Sequence, residues 1–206
     1  MSRLLIIEGI DGAGKTTLAK GLVTALETAG HEVVSTREPG GSEKAETIRR
    51  RLFSEEGVNM TPAKQMEMMH EGRLDHIETV IKPALEAGKT VISDRFEMSS
   101  VVYQAWFDKE HLIPIYKKYE AEIRVLLGDT TPEYIYLTLD SELVKQRQSQ
   151  SNDINAFDAV ELEPIKDRIA AYEYAVTIVR GNIHRIDASQ PPETVLKSVL
   201  MELGLK

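Results

Sequence analysis

Eight residues, Gly9-Ile10-Asp11-Gly12-Ala13-Gly14-Lys15-Thr16, constrain this chain more than any others. They stand between an apolar run, Leu4-Leu5-Ile6-Ile7, and a stretch opening with Thr17-Leu18-Ala19-Lys20 that has helical patterning. A glycine, four variable residues and then Gly-Lys-Thr, after a strand and before a helix, is the phosphate-loop pattern. Its glycines let the main chain curl until successive N–H groups point inward. The helix that follows adds the positive end of its dipole. Lys15 supplies a mobile positive charge for β- and γ-phosphates, and the Thr16 hydroxyl is suited to ligate Mg2+. The pattern implies a nucleoside triphosphate site and places the first strand in an α/β sheet.

Short β-branched runs at 4–8, 32–36, 90–93, 134–139 and 183–186 are expected as strands. Helical patterning covers 15–28, 42–53, 62–86, 99–107, 110–127, 142–150, 161–180 and 192–203. Alternation of the two implies parallel pairing through right-handed crossovers, hence a three-layer α/β fold with a five-stranded parallel sheet flanked by helices. Gly30 stands where a helix-terminating glycine belongs, and Thr61-Pro62 reads as an N-cap with proline at the first helical position. Gly72 and Pro83 are expected to weaken and kink the 62–86 helix. The 206 residues fit one domain, with a short lid at about 146–160 that begins in the polar stretch 146–155, read as a mobile loop.

Composition narrows the function. Lys and Arg number 25 against 33 Asp and Glu, a net charge of −8, which argues against nucleic acid as a partner while leaving room for a local basic pocket. The absence of cysteine excludes disulfides, thiolate metal sites and Cys nucleophiles, and it fits a cytoplasmic setting. The five histidines lack metal-ligand spacing. The N-terminus carries no leader pattern, and no apolar run is long enough to span a membrane.

Ligands of open parallel sheets sit at the carboxyl ends of the strands. Arg37-Glu38-Pro39-Gly40-Gly41 follows the second strand, Asp94-Arg95-Phe96 the third and Asp187-Ala188-Ser189-Gln190 the fifth. Asp94 ends the run Val91-Ile92-Ser93, the position from which a carboxylate holds Mg2+ directly or through water. Arg95 comes next, a cation placed to hold an acceptor phosphate in line with a γ-phosphate.

These segments together resemble the thymidylate kinase family of P-loop nucleoside monophosphate kinases. The resemblance rests on Glu8 to Thr17, on Thr36 to Gly41, on Asp94-Arg95-Phe96 with Ser99, Ser100, Tyr103 and Gln104, and on Ile186 to Gln190. It extends over nearly the whole chain and implies transfer of the ATP γ-phosphoryl group to dTMP, with Mg2+, in a homodimer. By position it implies that Gly9, Ile10, Asp11, Gly12, Ala13, Gly14, Lys15, Thr16 and Thr17 hold ATP, with Arg147 on the adenine. Asp11, Arg37, Glu38, Met69, Arg73, Arg95, Ser99, Ser100, Tyr103 and Gln104 are implied to hold the acceptor. Thr16, Asp94 and Asp11 are implied to serve the metal, and Lys15, Arg95 and Asp11 the chemistry. Asp11 would accept the sugar's 3′-hydroxyl, and Tyr103 beneath the sugar would crowd a 2′-hydroxyl.

Three departures qualify the resemblance. Met69 stands where the family carries a phenylalanine against the base, so the acceptor can differ, for example by a modified 5-position. Met66, Met68 and Met69 also read as helix packing or a seam between copies. Relatives place a transition-state arginine either in the phosphate loop, here Gly12, or in the lid, where Ser149, Ser151 and Ala156 stand and only Arg147 remains. Arg168, on the following helix, is expected to reach in, with Lys145 and Lys166 as weaker substitutes. Residues 105–108 lack a glycine-rich turn. A nucleotide-binding regulator without turnover, and a nucleoside kinase using Glu38 as base, stay open. A guanine-specific Asn-Lys-x-Asp and a Leu-Ser-Gly-Gly signature are both missing.

Overall fold

The strand Leu4–Glu8 (β1) is buried along its whole length, the state of a central parallel strand with helices on both faces. The structure, a computed structural model, describes residues 2–150 and 162–205. Val33–Arg37 (β2), Thr90–Asp94 (β3), Glu133–Thr138 (β4) and Asn182–Asp187 (β5) complete a sheet of order β2-β3-β1-β4-β5. Every pairing is parallel.

Lys15–Thr28 (α1) follows the glycine loop. Glu43–Leu52 (α2), Glu55–Val58 (α3), Pro62–His76 (α4) and Lys82–Glu86 (α5) link β2 to β3. Glu97–Tyr103 (α6) and Lys109–Leu127 (α7) precede β4; Ser141–Ser149 (α8) and Leu162–Ile178 (α9) precede β5; Pro192–Glu202 (α10) closes the chain. Helices α1 and α10 pack together, whereas α4, α6, α7 and α9 pack on one another. Between strand β4 and α9 the rings of Tyr136 and Tyr172 stack at 5.6 Å.

Local chemistry explains most boundaries. Ser42 caps α2 by accepting from the Ala45 amide, and Thr61 caps α4 by accepting from that of Lys64. The long helical stretch passes Gly72 unbroken and then widens into a π turn at Ile77–Ile81 before α5. Pro83 lies just beyond that turn, with no N–H to give to a carbonyl four residues back. Helix α3 has no counterpart in the sequence reading, because four residues show no periodicity. Helix α6 begins at Glu97, two residues before the expected start, because its capping group comes from another strand. Residues 146–149 of the expected loop are the last turn of α8; residues 151–160 of the expected lid lie outside the described residues.

Glu97, fully buried, accepts from the Tyr134 hydroxyl at 2.7 Å and pairs with Arg124 of α7. Burial outweighs Arg124 and pushes its carboxyl from 4.5 up to about 7. Between those values the folded protein keeps a proton that the unfolded chain has released. Its contribution to stability is full below pH 4.5 and is lost as pH rises through 7. From about pH 4.5 to pH 8 the protein should lose up to about 3 kcal/mol relative to Glu97→Gln, read from urea midpoints. A difference between the two that stays constant with pH refutes this.

Candidate active site

Strand register brings three loops to one point. Ile7 pairs with Asp94, and Asp94 with Arg37. Beyond the strands the Arg95 amide donates to the Ile7 carbonyl and the Glu38 amide to the Asp94 carbonyl, each at 2.9 Å. Gly9, Glu38 and Arg95 therefore leave the sheet side by side at its carboxyl edge.

The glycine loop is curled as its composition requires. Gly9 has φ +148°, and a Cβ there would stand 2.9 Å from the Leu137 carbonyl oxygen. Gly12, at φ +89°, lies under α8: a Cβ would meet Gln148 Cγ at 3.4 Å. Gln148, nearly buried, donates from Nε2 to the Asp11 carbonyl at 2.9 Å. Arg147 donates from Nη2 to the Ala188 carbonyl at 2.9 Å and reaches toward the Gly12 carbonyl at 3.5 Å, bridging the loop to the segment after β5. The Lys15 ammonium donates to the Ile10 carbonyl at 3.1 Å and to Asp11 Oδ1 at 3.2 Å. Burial, with Arg95 nearby, draws its pKa below the ordinary lysine value, partly offset by Asp11 and Asp94.

Thr16 Oγ1 donates to Asp94 Oδ2 at 3.2 Å, while Asp94 Oδ1 is buried without a partner. A hydroxyl beside an unsatisfied carboxylate oxygen suits Mg2+, a hard cation that takes one or two protein oxygens and fills its octahedron with phosphate oxygens and water. Among the described residues no group of three or more acidic or histidine side chains is arranged for a metal.

Arg95 adopts φ +72°, a left-handed conformation that an L side chain rarely takes. Its guanidinium donates to the Gly9 carbonyl (3.2 Å), Ser99 Oγ (3.2 Å), the Tyr172 hydroxyl (2.6 Å) and the Tyr103 hydroxyl (3.2 Å), and it pairs with Asp11. The Tyr103 hydroxyl donates to Asp11 Oδ2 at 2.9 Å. Behind Arg95 lies Glu8, wholly buried, 3.8 Å from Nη1. One oxygen of Glu8 accepts the Phe96 amide (2.8 Å) and the Ser99 amide (3.2 Å), and the other accepts Ser99 Oγ (2.7 Å). Burial raises its carboxyl pKa, and Arg95 and these donors oppose the rise. Glu8 thus caps α6 from β1.

Beyond Arg95 opens a cavity walled by Asp11, Glu38, Met69, Ser99, Tyr103 and Gln104, with Arg95 at its inner end. Gln104 is nearly buried there and its Oε1 has no partner, an acceptor for a ligand edge. Pro39, Arg49, Leu52, Phe53 and Gln65 complete the wall. Arg49 donates to the Pro39 carbonyl at 2.9 Å and lies 4.8 Å over the Phe53 ring.

Four expected site residues do not line this cavity. Arg37 points outward and pairs with Glu46 at 2.9 Å. Arg73 is buried behind Glu38: Nε donates to Glu38 Oε2 at 2.6 Å, and Nη1 and Nη2 donate to Ser100 Oγ and the Phe96 carbonyl. Ser100 is occupied by that contact. Arg168 donates to the Val102 carbonyl at 3.0 Å and lies 4.3 Å over the Tyr103 ring, and it does not line the cavity. Met66 packs in the core, whereas Met69 faces the cavity. Residues 105–108 form a tight 3₁₀ turn in place of an open loop. Arg49 was legible only as part of a basic run closing a helix, and Glu8 and Gln148 carried no motif beyond their neighbours.

A phosphate loop on the central strand, a mostly buried arginine after the neighbouring strand and a cavity lined by that arginine are the features of a P-loop kinase. Residues 7–199 match the thymidylate kinase family. A curated thymidylate kinase of Bacillus licheniformis is 33% identical over 207 residues, an overlap of 98% of this chain and 96% of that protein. The chain belongs to the thymidylate kinase family and is an ATP-dependent kinase. Among the described residues no helix is long and apolar enough to cross a membrane.

Removing Glu8 would leave Arg95 with one buried anion fewer and two α6 amides uncapped. Glu8→Ala should cost about 3–5 kcal/mol in urea unfolding, the range for breaking a buried ion pair. A loss below about 1 kcal/mol would show that the network does not depend on it.

Proposed function

We propose that the enzyme transfers the γ-phosphoryl group of ATP to dTMP, with ATP on the Gly9–Thr17 loop and the monophosphate in the cavity beyond Arg95. One observation carries this reading: Arg95 and Asp11 are shared between loop and cavity, so ligands in both would meet there phosphate to phosphate. Lys15 would draw charge from the β- and γ-phosphates. Arg95 would hold the acceptor phosphate against its own repulsion from the donor. No general base is needed, since a phosphate monoester oxygen is already nucleophilic near neutral pH. Glu38, with both oxygens engaged by Arg73 and His76, is poorly placed to act as one.

Mg2+, bound with ATP, would neutralise the β- and γ-oxygens, with Thr16 and Asp94 as its protein oxygens. Asp11 would take the sugar's 3′-hydroxyl, and Tyr103 would lie under the ring and disfavour ribose. Gln104 would pair with the pyrimidine edge, and Met69 with Phe53 would offer the base an apolar wall. Arg147, across the loop after β5, would stack on adenine. We further assign the chain to one kinase domain with residues 146–160 as its lid, working as a cytoplasmic homodimer.

Lys15→Ala and Arg95→Lys should each lower kcat by about 100-fold or more in a coupled ADP assay, because both act on transferring charge and lysine lacks the guanidinium fork. Activity that survives either change would overturn the assigned role. A panel of nucleoside monophosphates should show dTMP well above its ribo-counterpart, and equal rates would refute the deoxypyrimidine reading.

A further inference from the structure

Glu38 lines the cavity, and one ion pair does not by itself fix a carboxylate. Arg73 occupies Oε2 at 2.6 Å. The second oxygen, Oε1, lies 3.1 Å from His76 Nδ1, and the other ring nitrogen, Nε2, lies 2.7 Å from Thr36 Oγ1. An ionised carboxylate only accepts, so Nδ1 carries the hydrogen toward Glu38, while the Thr36 hydroxyl, able to donate or accept, pairs with Nε2. His76 is wholly buried.

The ring also supports the loop that carries Glu38. A Cβ on Gly41 would fall 2.3 Å from His76 Nε2 and 2.5 Å from Thr36 Oγ1, so the Gly41 backbone rests directly on this pair. Met69, Arg73 and His76 are spaced four and three residues apart, which puts them on one face of α4. That face supplies in succession a cavity wall, the counter-ion of Glu38 and the donor to its second oxygen. The π turn begins at the next residue, a helix irregularity that recurs at functional sites.

We propose that His76 is a positioning residue for the acceptor: its Nδ1 hydrogen bond holds the Glu38 carboxylate, and with it Arg73, in the single orientation that completes the monophosphate wall. The inference rests on the reading of that cavity as the dTMP site. Asparagine can imitate Nδ1 and glutamine only Nε2, which separates this role from simple filling of space. With saturating ATP, His76→Gln should raise the KM for dTMP about tenfold while kcat and the KM for ATP change less than about threefold. His76→Asn should return the KM for dTMP to within about threefold of the parent.

An unchanged KM for dTMP in His76→Gln overturns the proposal, as does an equal rise in both variants or a parallel rise in the KM for ATP. Should His76→Gln fail to fold by circular dichroism, Thr36→Val, which frees the far end of the relay, should raise the KM for dTMP about threefold, and no rise there overturns it equally. A parent enzyme that shows no saturation by dTMP instead refutes the reading of the cavity itself.

Discussion

The guanidinium of Arg95 is the contact on which the site depends. It sits nearly buried among Asp11, Glu8, the Gly9 carbonyl and the hydroxyls of Ser99, Tyr103 and Tyr172. A charge so placed is tolerable only if its donors find acceptors and an anion stands close; both Nη atoms have acceptors, and Asp11 pairs with the guanidinium. These six partners come from four elements, so one cation joins β1, its loop, α6 and α9. The left-handed turn at Arg95 is how the chain aims that side chain back over the loop, a local strain that the surrounding contacts hold. Glu8 completes the arrangement from beneath by neutralising the cation and capping the helix that carries Ser99 and Tyr103.

Charge is distributed unevenly in a protein whose net charge is −8. The carboxyl edge gathers Lys15, Arg49, Arg95 and Arg147, while Glu38 and Arg73 neutralise each other in the wall. That pairing explains why Arg73 serves the cavity through Glu38 rather than by direct contact. Over Gly12 the space is taken by an uncharged amide, Gln148, whose hydrogen bond to the Asp11 carbonyl ties α8 to the loop. Lys15 and Arg95 both reach Asp11 of the loop, and under the proposed function these two cations would carry the charge of the transferring group.

Much of this was readable before any coordinates. All five strands lie within one residue of the expected limits, because continuous apolar runs bounded by glycine and charge are local properties. The cradle, Thr16 with Asp94, and Arg95 followed from motifs whose partners are set by the strand–loop–helix context. What escaped was long-range. Glu8 looked like the polar end of a strand, yet its partners Phe96 and Ser99 lie some ninety residues away. Arg49 had no motif to single it out, and α2 turns it into the cavity wall. Arg37 and Arg168 were expected to face the ligands; Arg37 pairs with Glu46 and Arg168 lies over the Tyr103 ring, and neither lines the cavity.

The amino-acid order by itself determined the α/β alternation, the phosphate loop and the family, because each is built from short motifs of chemically specific groups, and for the family from their order along the chain. Only the tertiary structure decided which arginines face the cavity and which are taken up as counter-ions. A long basic side chain pairs with whichever carboxylate packing brings within reach, buried as Glu8 and Glu38 are or at the surface as Glu46 is, and those positions exist only once the sheet and its helices are packed.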